Sequence, residues 1–176
     1  MLNKKLAKKI LDMVKIDQKI RKAKKIDLKK MKQIDEKSTS EMKEVIKEYG
    51  WPGKSLVGDK GADGAWLLVQ HADHDLQFQK KCLRLLMKAV KIEEAKKSHL
   101  AYLTDRVLMH EKRKQLYGTQ FKIDKKSNTV LPFPITDREN LEERRKSMGL
   151  QSFRKYEKLV VQLFKNAQSQ IQIRFR

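Results

Sequence analysis

The stretch Ala65-Trp66-Leu67-Leu68-Val69-Gln70-His71-Ala72-Asp73-His74-Asp75-Leu76-Gln77-Phe78-Gln79, continued to about Val90, has the clearest helical pattern in the chain. When it is plotted at about 100° per residue, charged and polar side chains gather on one face and apolar side chains cover the rest. The pattern predicts one continuous central helix over residues 65–90, around which the other helices pack.

Three polar residues interrupt the apolar surface of this predicted helix. His71, Asp75 and Gln79 stand four residues apart, so a continuous helix would place their side chains in one row. A carboxylate or an imidazole on a buried face costs free energy unless it is paired or used. The row is therefore the leading candidate site, with His71 and Asp75 as candidate catalytic residues.

The composition indicates a helical protein with long solvated faces. Of the 176 residues, 39% are hydrophobic and 36% are charged, and the apolar residues recur at helical spacing, which disordered chains do not show. The single cysteine, Cys82, excludes an internal disulfide and a zinc site of several thiolates. No apolar run approaches the ~20 residues that cross a bilayer, and no secretory signal is visible, so we expect a cytoplasmic protein.

The net charge of +20 is concentrated toward the two ends of the chain, and the middle third is nearly balanced. A basic surface of this kind suits nucleic acid, an anionic membrane surface or an acidic partner protein. It is more often a feature of a lysine-rich genome or of lysine used for solubility. The lysines are not interleaved with aromatic residues, as base stacking would require.

The chain as a whole predicts an all-α, single-domain helical bundle over residues 1–176. Residues 1–37 predict a long basic amphipathic helix, residues 38–167 the core helices and loops, and residues 168–176 a tail. Ser38 and Glu41 have capping-box spacing and predict a second helix, which Gly50 and Pro52 end. Residues 53–64 hold four of the seven glycines and predict a Gly-rich loop before the central helix.

Further helices are predicted beyond the central one. One covers about residues 93–114, a short one follows Thr136 and ends at Gly149, and the last covers about residues 152–167. Residues 171–176 alternate like an edge strand, and no other strand signal is convincing.

Several short motifs together resemble an uncharacterised bacterial family that is recorded as a domain of unknown function. They are Tyr-Gly-Trp-Pro at 49–52, Gln-His-Ala-Asp at 70–73 with Asp75 and Phe78-Gln79, Ala-Tyr-Leu-Thr-Asp-Arg at 101–106, and Tyr-Gly-Thr-Gln at 117–120. The resemblance extends to Asp17-Gln18 with Arg21, and to Pro134-Ile135, Asp137, Arg144-Arg145 and Gly149-Leu150. Residues 111–114 depart from it, because a glycine or another small residue is expected shortly before Gln115.

The resemblance implies no activity, but it implies a shared set of polar residues. These are Gln70, His71, Asp73, Asp75, Gln79, Asp105, Arg106, Gln115, Tyr117 and Gln120.

One hypothesis is a small hydrolase or transferase that uses acid–base chemistry. On a continuous helix Asp75 would hydrogen-bond His71 and orient the imidazole as a general base. Arg106 would then hold a small anionic substrate. The remaining substrate-binding candidates are Gln70, Gln79, Asp105, Gln115, Tyr117 and Gln120.

Three other interpretations stay open at the level of sequence. His71 and Asp75 could bind a divalent metal with His110 or Asp105, although the His-Glu-x-x-His pattern is absent. The row could be a buried polar network that pins two helices together, with Gln79 and Arg106 satisfying the charges. The protein could also be a non-enzymatic basic binding module.

Overall fold

The computed structural model describes residues 2–23, 26–124 and 126–172, with side chains to residue 166. These residues form seven helices and one two-stranded sheet, which confirms the predicted predominantly α-helical class. In chain order the elements are α1 (Lys4–Arg21), α2 (Leu28–Tyr49), α3 (Lys54–Gln70), α4 (Leu76–Lys91), α5 (Lys97–His110), β1 (Phe121–Asp124), β2 (Thr129–Pro132), α6 (Leu141–Ser147) and α7 (Phe153–Gln172).

The chain divides into two compact units, residues 1–103 and residues 104–176. In the first unit α1 packs against α2 and α3, and α3 also contacts α2 and α4. The core of this unit contains Ile10, Met42, Leu68 and Leu86, all of which are fully or almost fully buried. Burying these apolar surfaces is the main stabilising contribution to the helical arrangement.

The predicted helix over residues 1–37 is wrong, because the chain turns back on itself within it. α1 ends at Arg21, and Asp27 caps a new helix by accepting a hydrogen bond from the backbone N–H of Lys30 at 3.0 Å. α2 then runs straight through the predicted capping box, since Ser38 is a buried residue inside it. The predicted end is confirmed: Gly50 adopts a positive φ of 70° after Tyr49.

The predicted Gly-rich loop over residues 53–64 is also wrong, because α3 begins at Lys54. The helix is kinked at Gly58, where φ is 73°. At Gly64 a Cβ atom would lie 3.0 Å from Cγ2 of Val14 and 3.1 Å from Cγ2 of Ile10. This glycine therefore lets α3 approach α1 closely.

The predicted continuous helix over residues 65–90 is broken at residues 71–75, between α3 and α4. Asp75 begins α4 as its N-cap and accepts a hydrogen bond from the backbone N–H of Phe78 at 2.9 Å. The side-chain amide of Gln79 donates to the carbonyl of Val69 at 3.1 Å and so closes the end of α3. His71, Asp75 and Gln79 consequently do not form one row along a helix.

In the second unit β1 and β2 form an antiparallel hairpin that the sequence did not predict, with Phe121 opposite Pro132. The predicted helix 93–114 is observed as the shorter α5. The helix predicted after Thr136 is observed as α6, which Gly149 follows with a φ of 66°. α7 continues to Gln172, so the start of the predicted tail is helical, and the rest of the predicted strand, residues 173–176, lies outside the described residues.

No helix among the described residues is both long enough and apolar enough to span a bilayer.

Candidate functional site: a buried aspartate and a histidine

The centre of the candidate site is a hydrogen bond between two side chains that lie 54 positions apart in the sequence. Nδ1 of His71 lies 2.8 Å from Oδ1 of Asp17. The Asp17 side chain is 1% exposed, whereas the His71 side chain is 17% exposed. The carboxylate is thus sealed inside the first unit while the imidazole reaches its surface.

The packing of α1 against α3 brings these residues together. Contacts between the helices advance in the same direction along both, from Asn3 with Leu56 to Ile10 and Val14 with Gly64. The two helices are therefore parallel. Asp17 follows Val14 by about one turn and His71 follows Gly64 by about two, so the pair forms where the helices end together.

Two further charged residues complete what we call the Asp17 cluster, defined as Asp17, Arg21, Asp35 and His71. Nη1 of Arg21 lies 3.1 Å from Oδ1 of Asp17. Nη2 of Arg21 donates to Oδ1 and Oδ2 of Asp35 at 2.8 and 3.0 Å. In addition, the side-chain amide of Gln18 donates to Oδ2 of Asp17 at 2.9 Å. The cluster therefore joins α1, α2 and the end of α3.

The pKa values of the two carboxylates of the cluster are shifted in opposite directions. Burial alone would raise the pKa of Asp17, but the hydrogen bond and charge of His71, with Gln18 and Arg21, lower it below 3.8. Burial raises the pKa of Asp35 above 3.8, against the opposing effect of Arg21. Asp17 is consequently ionised at neutral pH.

An ionised Asp17 fixes the tautomer of His71, because a carboxylate can only accept. Nδ1 therefore carries the proton, and Nε2 of the neutral ring presents its lone pair. Within residues 2–23, 26–124 and 126–172, Nε2 has no hydrogen-bond partner. The arrangement is that of a general base oriented by an aspartate.

The cluster fits a divalent metal poorly. Possible ligand atoms of Asp17, Asp35 and His71 lie within 4.8 Å of one another, and this group does not include His110 or Asp105, the ligands considered from the sequence. The guanidinium of Arg21, however, already contacts both carboxylates. Its positive charge lies where a metal would have to bind, and it opposes a second cation there.

Asp75 does not form the hydrogen bond to His71 that the sequence predicted. Besides capping α4, it pairs through Oδ2 with Nζ of Lys43 at 2.6 Å. The hydrogen bond from Lys43, followed by that from the Phe78 backbone, holds the pKa of Asp75 below its ordinary value. Its contacts are those of a helix cap with an ion pair.

The two glutamines predicted beside His71 lie in the first unit with it. Gln70 is a buried residue at the end of α3. The side-chain amide of Gln79 also donates to the carbonyl of Gln70 at 3.3 Å and to Oδ1 of Asp73 at 3.2 Å. Gln79 therefore holds the α3–α4 turn in shape.

The other predicted site residues lie in the second unit, where they organise the turn over residues 115–120. Asp105 is buried and accepts hydrogen bonds from the backbone N–H groups of Leu116, Tyr117 and Thr119 at 2.7, 3.0 and 2.9 Å. Burial raises the pKa of Asp105, and these donors oppose that effect. Arg106 is half-buried beside it on α5.

Gln115 and Gln120 join the turn to the β-hairpin. The Gln115 side chain donates to the carbonyls of Gln120 and Phe133 at 3.0 and 2.8 Å, and its Oε1 accepts from the backbone N–H of Gln120 at 2.9 Å. The predicted substrate-binding set is thus divided between the units: Gln70 and Gln79 belong to the first unit, and Asp105, Arg106, Gln115, Tyr117 and Gln120 belong to the second.

Sequence reasoning missed three members of the Asp17 cluster. Asp17 and Arg21 stand four apart on α1, and both occur in the motif set that carries the family resemblance, so a signal for them existed. Asp35 had no such signal, because its role depends on how α2 folds back against α1.

Comparison with known proteins identifies the family. Residues 4–167 match the model of a family of unknown function (DUF6624). The chain belongs to this family. A search of curated proteins and a search of solved structures each give no match. The family match includes every member of the Asp17 cluster, and it assigns none of them a reaction.

Proposed function

We propose that the protein is an enzyme in which His71 acts as a general base, most simply a hydrolase or transferase of small molecules. The observation that carries this proposal is the 2.8 Å hydrogen bond between His71 and the buried carboxylate of Asp17. Burying a carboxylate costs free energy, and orienting an imidazole is one use that offsets this cost.

The chemistry follows from the tautomer. An O–H group of water or of a substrate hydroxyl gives its proton to Nε2 of His71, and the electron pair of the broken bond stays on the oxygen. That oxygen then attacks an electrophilic carbon of the substrate, the bond from that carbon to the leaving group breaks, and the leaving group takes its electron pair and the proton held on Nε2. Asp17 stabilises the imidazolium that forms, because its carboxylate accepts the hydrogen bond from the protonated Nδ1 throughout the reaction.

The competing explanation is that the Asp17 cluster only ties helix ends together. The two explanations differ in what a substitution changes: a structural tie affects stability, whereas an oriented base affects reactivity at Nε2. A probe of reactivity that requires no knowledge of the substrate therefore separates them.

We expect Asp17→Asn to slow the modification of His71 by diethyl pyrocarbonate by about tenfold or more, because a general base that loses its orienting partner loses part of its 10²–10⁴-fold effect. Modification of individual histidines is measured by mass spectrometry at neutral pH, with the exposed His74 as an internal standard. The matched control is Asp12→Asn, which removes an exposed carboxylate from the same helix.

Once a substrate is found by activity screening, His71→Gln should abolish turnover and leave the protein folded. The proposal fails if Asp17→Asn and Asp12→Asn give the same His71 reactivity. It also fails if His71→Gln lowers the free energy of unfolding by several kcal/mol, of the order expected when a buried ion pair is broken, while turnover is retained.

A further inference from the structure

Arg21 is the cation of the Asp17 cluster, and its guanidinium is already engaged. Nη2 donates to both oxygens of Asp35, and Nη1 lies against Oδ1 of Asp17. Nη1 is also buried, so a ligand arriving from solvent does not reach it. Nη2, the end of the guanidinium fork that could recognise a phosphate or carboxylate, is therefore occupied by Asp35, whereas Nη1 makes no hydrogen bond among the described residues.

The formal charge of the cluster is negative when His71 is neutral. Two carboxylates face one guanidinium, which leaves −1 in a chain whose total charge is +20. Lys43, a cation of α2, is paired with Asp75 at 2.6 Å. Because the cluster is largely shielded from solvent, salt screens its charges less than those on the surface.

Resting on the proposed role of His71, we propose that the site receives an uncharged polar group, such as a hydroxyl, and rejects phosphate and carboxylate groups. Asp35 determines this specificity, because it occupies the donors of Arg21 that would otherwise bind an anion. This differs from the anionic substrate expected from the sequence, for which Arg106 was the anchor.

The proposal predicts that one substitution reverses the preference of the site. Asp35→Asn removes the carboxylate that holds Nη2 and changes the formal charge of the cluster from −1 to 0. The side-chain amide keeps nearly the same volume, so the packing of α2 against α1 is disturbed little. The released guanidinium donors can then bind an anion beside His71.

The test is a titration with inorganic phosphate at pH 8, above the range in which histidine ordinarily gains its proton. Binding is followed through the imidazole signals of His71 in protein labelled with ¹⁵N-histidine. Glu41→Gln is the matched control, because it removes one negative charge from the same helix, where Glu41 pairs with Lys9 at 2.6 Å. Ionic strength is held constant with sodium chloride.

We expect phosphate to leave the His71 signals of the wild type and of Glu41→Gln unchanged, and to bind Asp35→Asn at least tenfold more tightly than either. Site-specific binding of phosphate to the wild type overturns the proposal, and so does equal binding by Asp35→Asn and Glu41→Gln. If Asp35→Asn does not fold, the wild-type titration alone decides.

Failure of this proposal can be distinguished from failure of the proposed function. Phosphate binding reports the charge that the site accepts, whereas diethyl pyrocarbonate reports the reactivity of Nε2. If the wild type binds phosphate, and Asp17 is nonetheless required for the reactivity of His71, the proposed specificity is wrong and the proposed general base stands.

Discussion

Asp75 has two neighbours that account for its position at the start of α4. It accepts the Phe78 backbone N–H and pairs with Lys43. A side-chain oxygen at an N-cap satisfies a backbone donor that the helix itself cannot satisfy. These contacts explain Asp75 without reference to catalysis.

We predict that Asp75→Ala lowers the free energy of unfolding by about 1 kcal/mol, because the α4 cap is lost. Asp75→Ser should recover most of that loss, since a serine hydroxyl also caps helices, although it cannot pair with Lys43. Stability is measured by urea denaturation. Both variants should keep the reactivity of His71. If His71 in Asp75→Ser is as unreactive as in Asp17→Asn, Asp75 does belong to the functional site.

At the residue scale the sequence led to His71 but not to its partner. A polar residue that interrupts an apolar pattern is visible locally, and this indicated His71. Asp17 lies 54 positions away on a different helix, so the pairing depends on how α1 packs against α3. A continuous helix through residues 71–75 would make Asp75 the nearest carboxylate at helical spacing, but the helix is broken there.

Gly64 sets the distance between α1 and α3, the two helices that carry Asp17 and His71. A methyl group at this position would lie about as close to Val14 and Ile10 as real contacts ever come, and both neighbours are β-branched residues with restricted rotamers. The helices would have to separate to accommodate it.

We expect Gly64→Ala to lower the free energy of unfolding by about 1–3 kcal/mol, the usual cost of overpacking a core. This outweighs the gain of up to about 1 kcal/mol that alanine normally brings to a helix. Lys60→Ala, an exposed change on the same helix, is the control and should have little effect. A Gly64→Ala protein more stable than the wild type would show that α1 does not press on this glycine.

At the element scale the periodic patterns predicted the helices, and their ends were less visible. Glycines within residues 53–64 indicated a loop, although Gly64 is required by helix packing. Asp27 and Asp75 are caps that begin new helices, but in the periodic pattern each falls inside a longer predicted helix. A polar residue inside a helical pattern can mark either a cap or a buried site, and only the packed structure separates these cases.

Acid should destabilise the whole molecule, with Asp17 contributing. The pKa of Asp17 is lowered in the folded protein, so its contribution is fully present above the ordinary value of 3.8 and is lost as the pH falls through the folded value. Protonating carboxylates also adds to a net charge that is already +20 at pH 7.

We predict that the free energy of unfolding of the wild type falls as the pH decreases below 3.8, and that Asp17→Asn shows a shallower decrease. Urea denaturation at a series of pH values measures both curves. Parallel curves for the two proteins would mean that Asp17 has the same pKa in the folded and unfolded states.

At the scale of the whole molecule the predominantly helical class was predictable, because the spacing of apolar residues alone determines it. The β-hairpin was not, since its two strands of four residues are short and depend on the Gln115 and Gln120 contacts. The nucleic-acid or acidic partner stays a prediction, as only the net charge supports it.

The Asp17 cluster draws its members from α1, α2 and the residue that follows α3, so they span positions 17–71 of the chain and no single helix holds all of them. A piece of the protein cut from the rest could keep its helical content and still lack the complete set of partners around His71. The reactivity of the His71 ring therefore reports whether the three helices have assembled correctly. It can be measured in living cells or in purified material before any substrate is known.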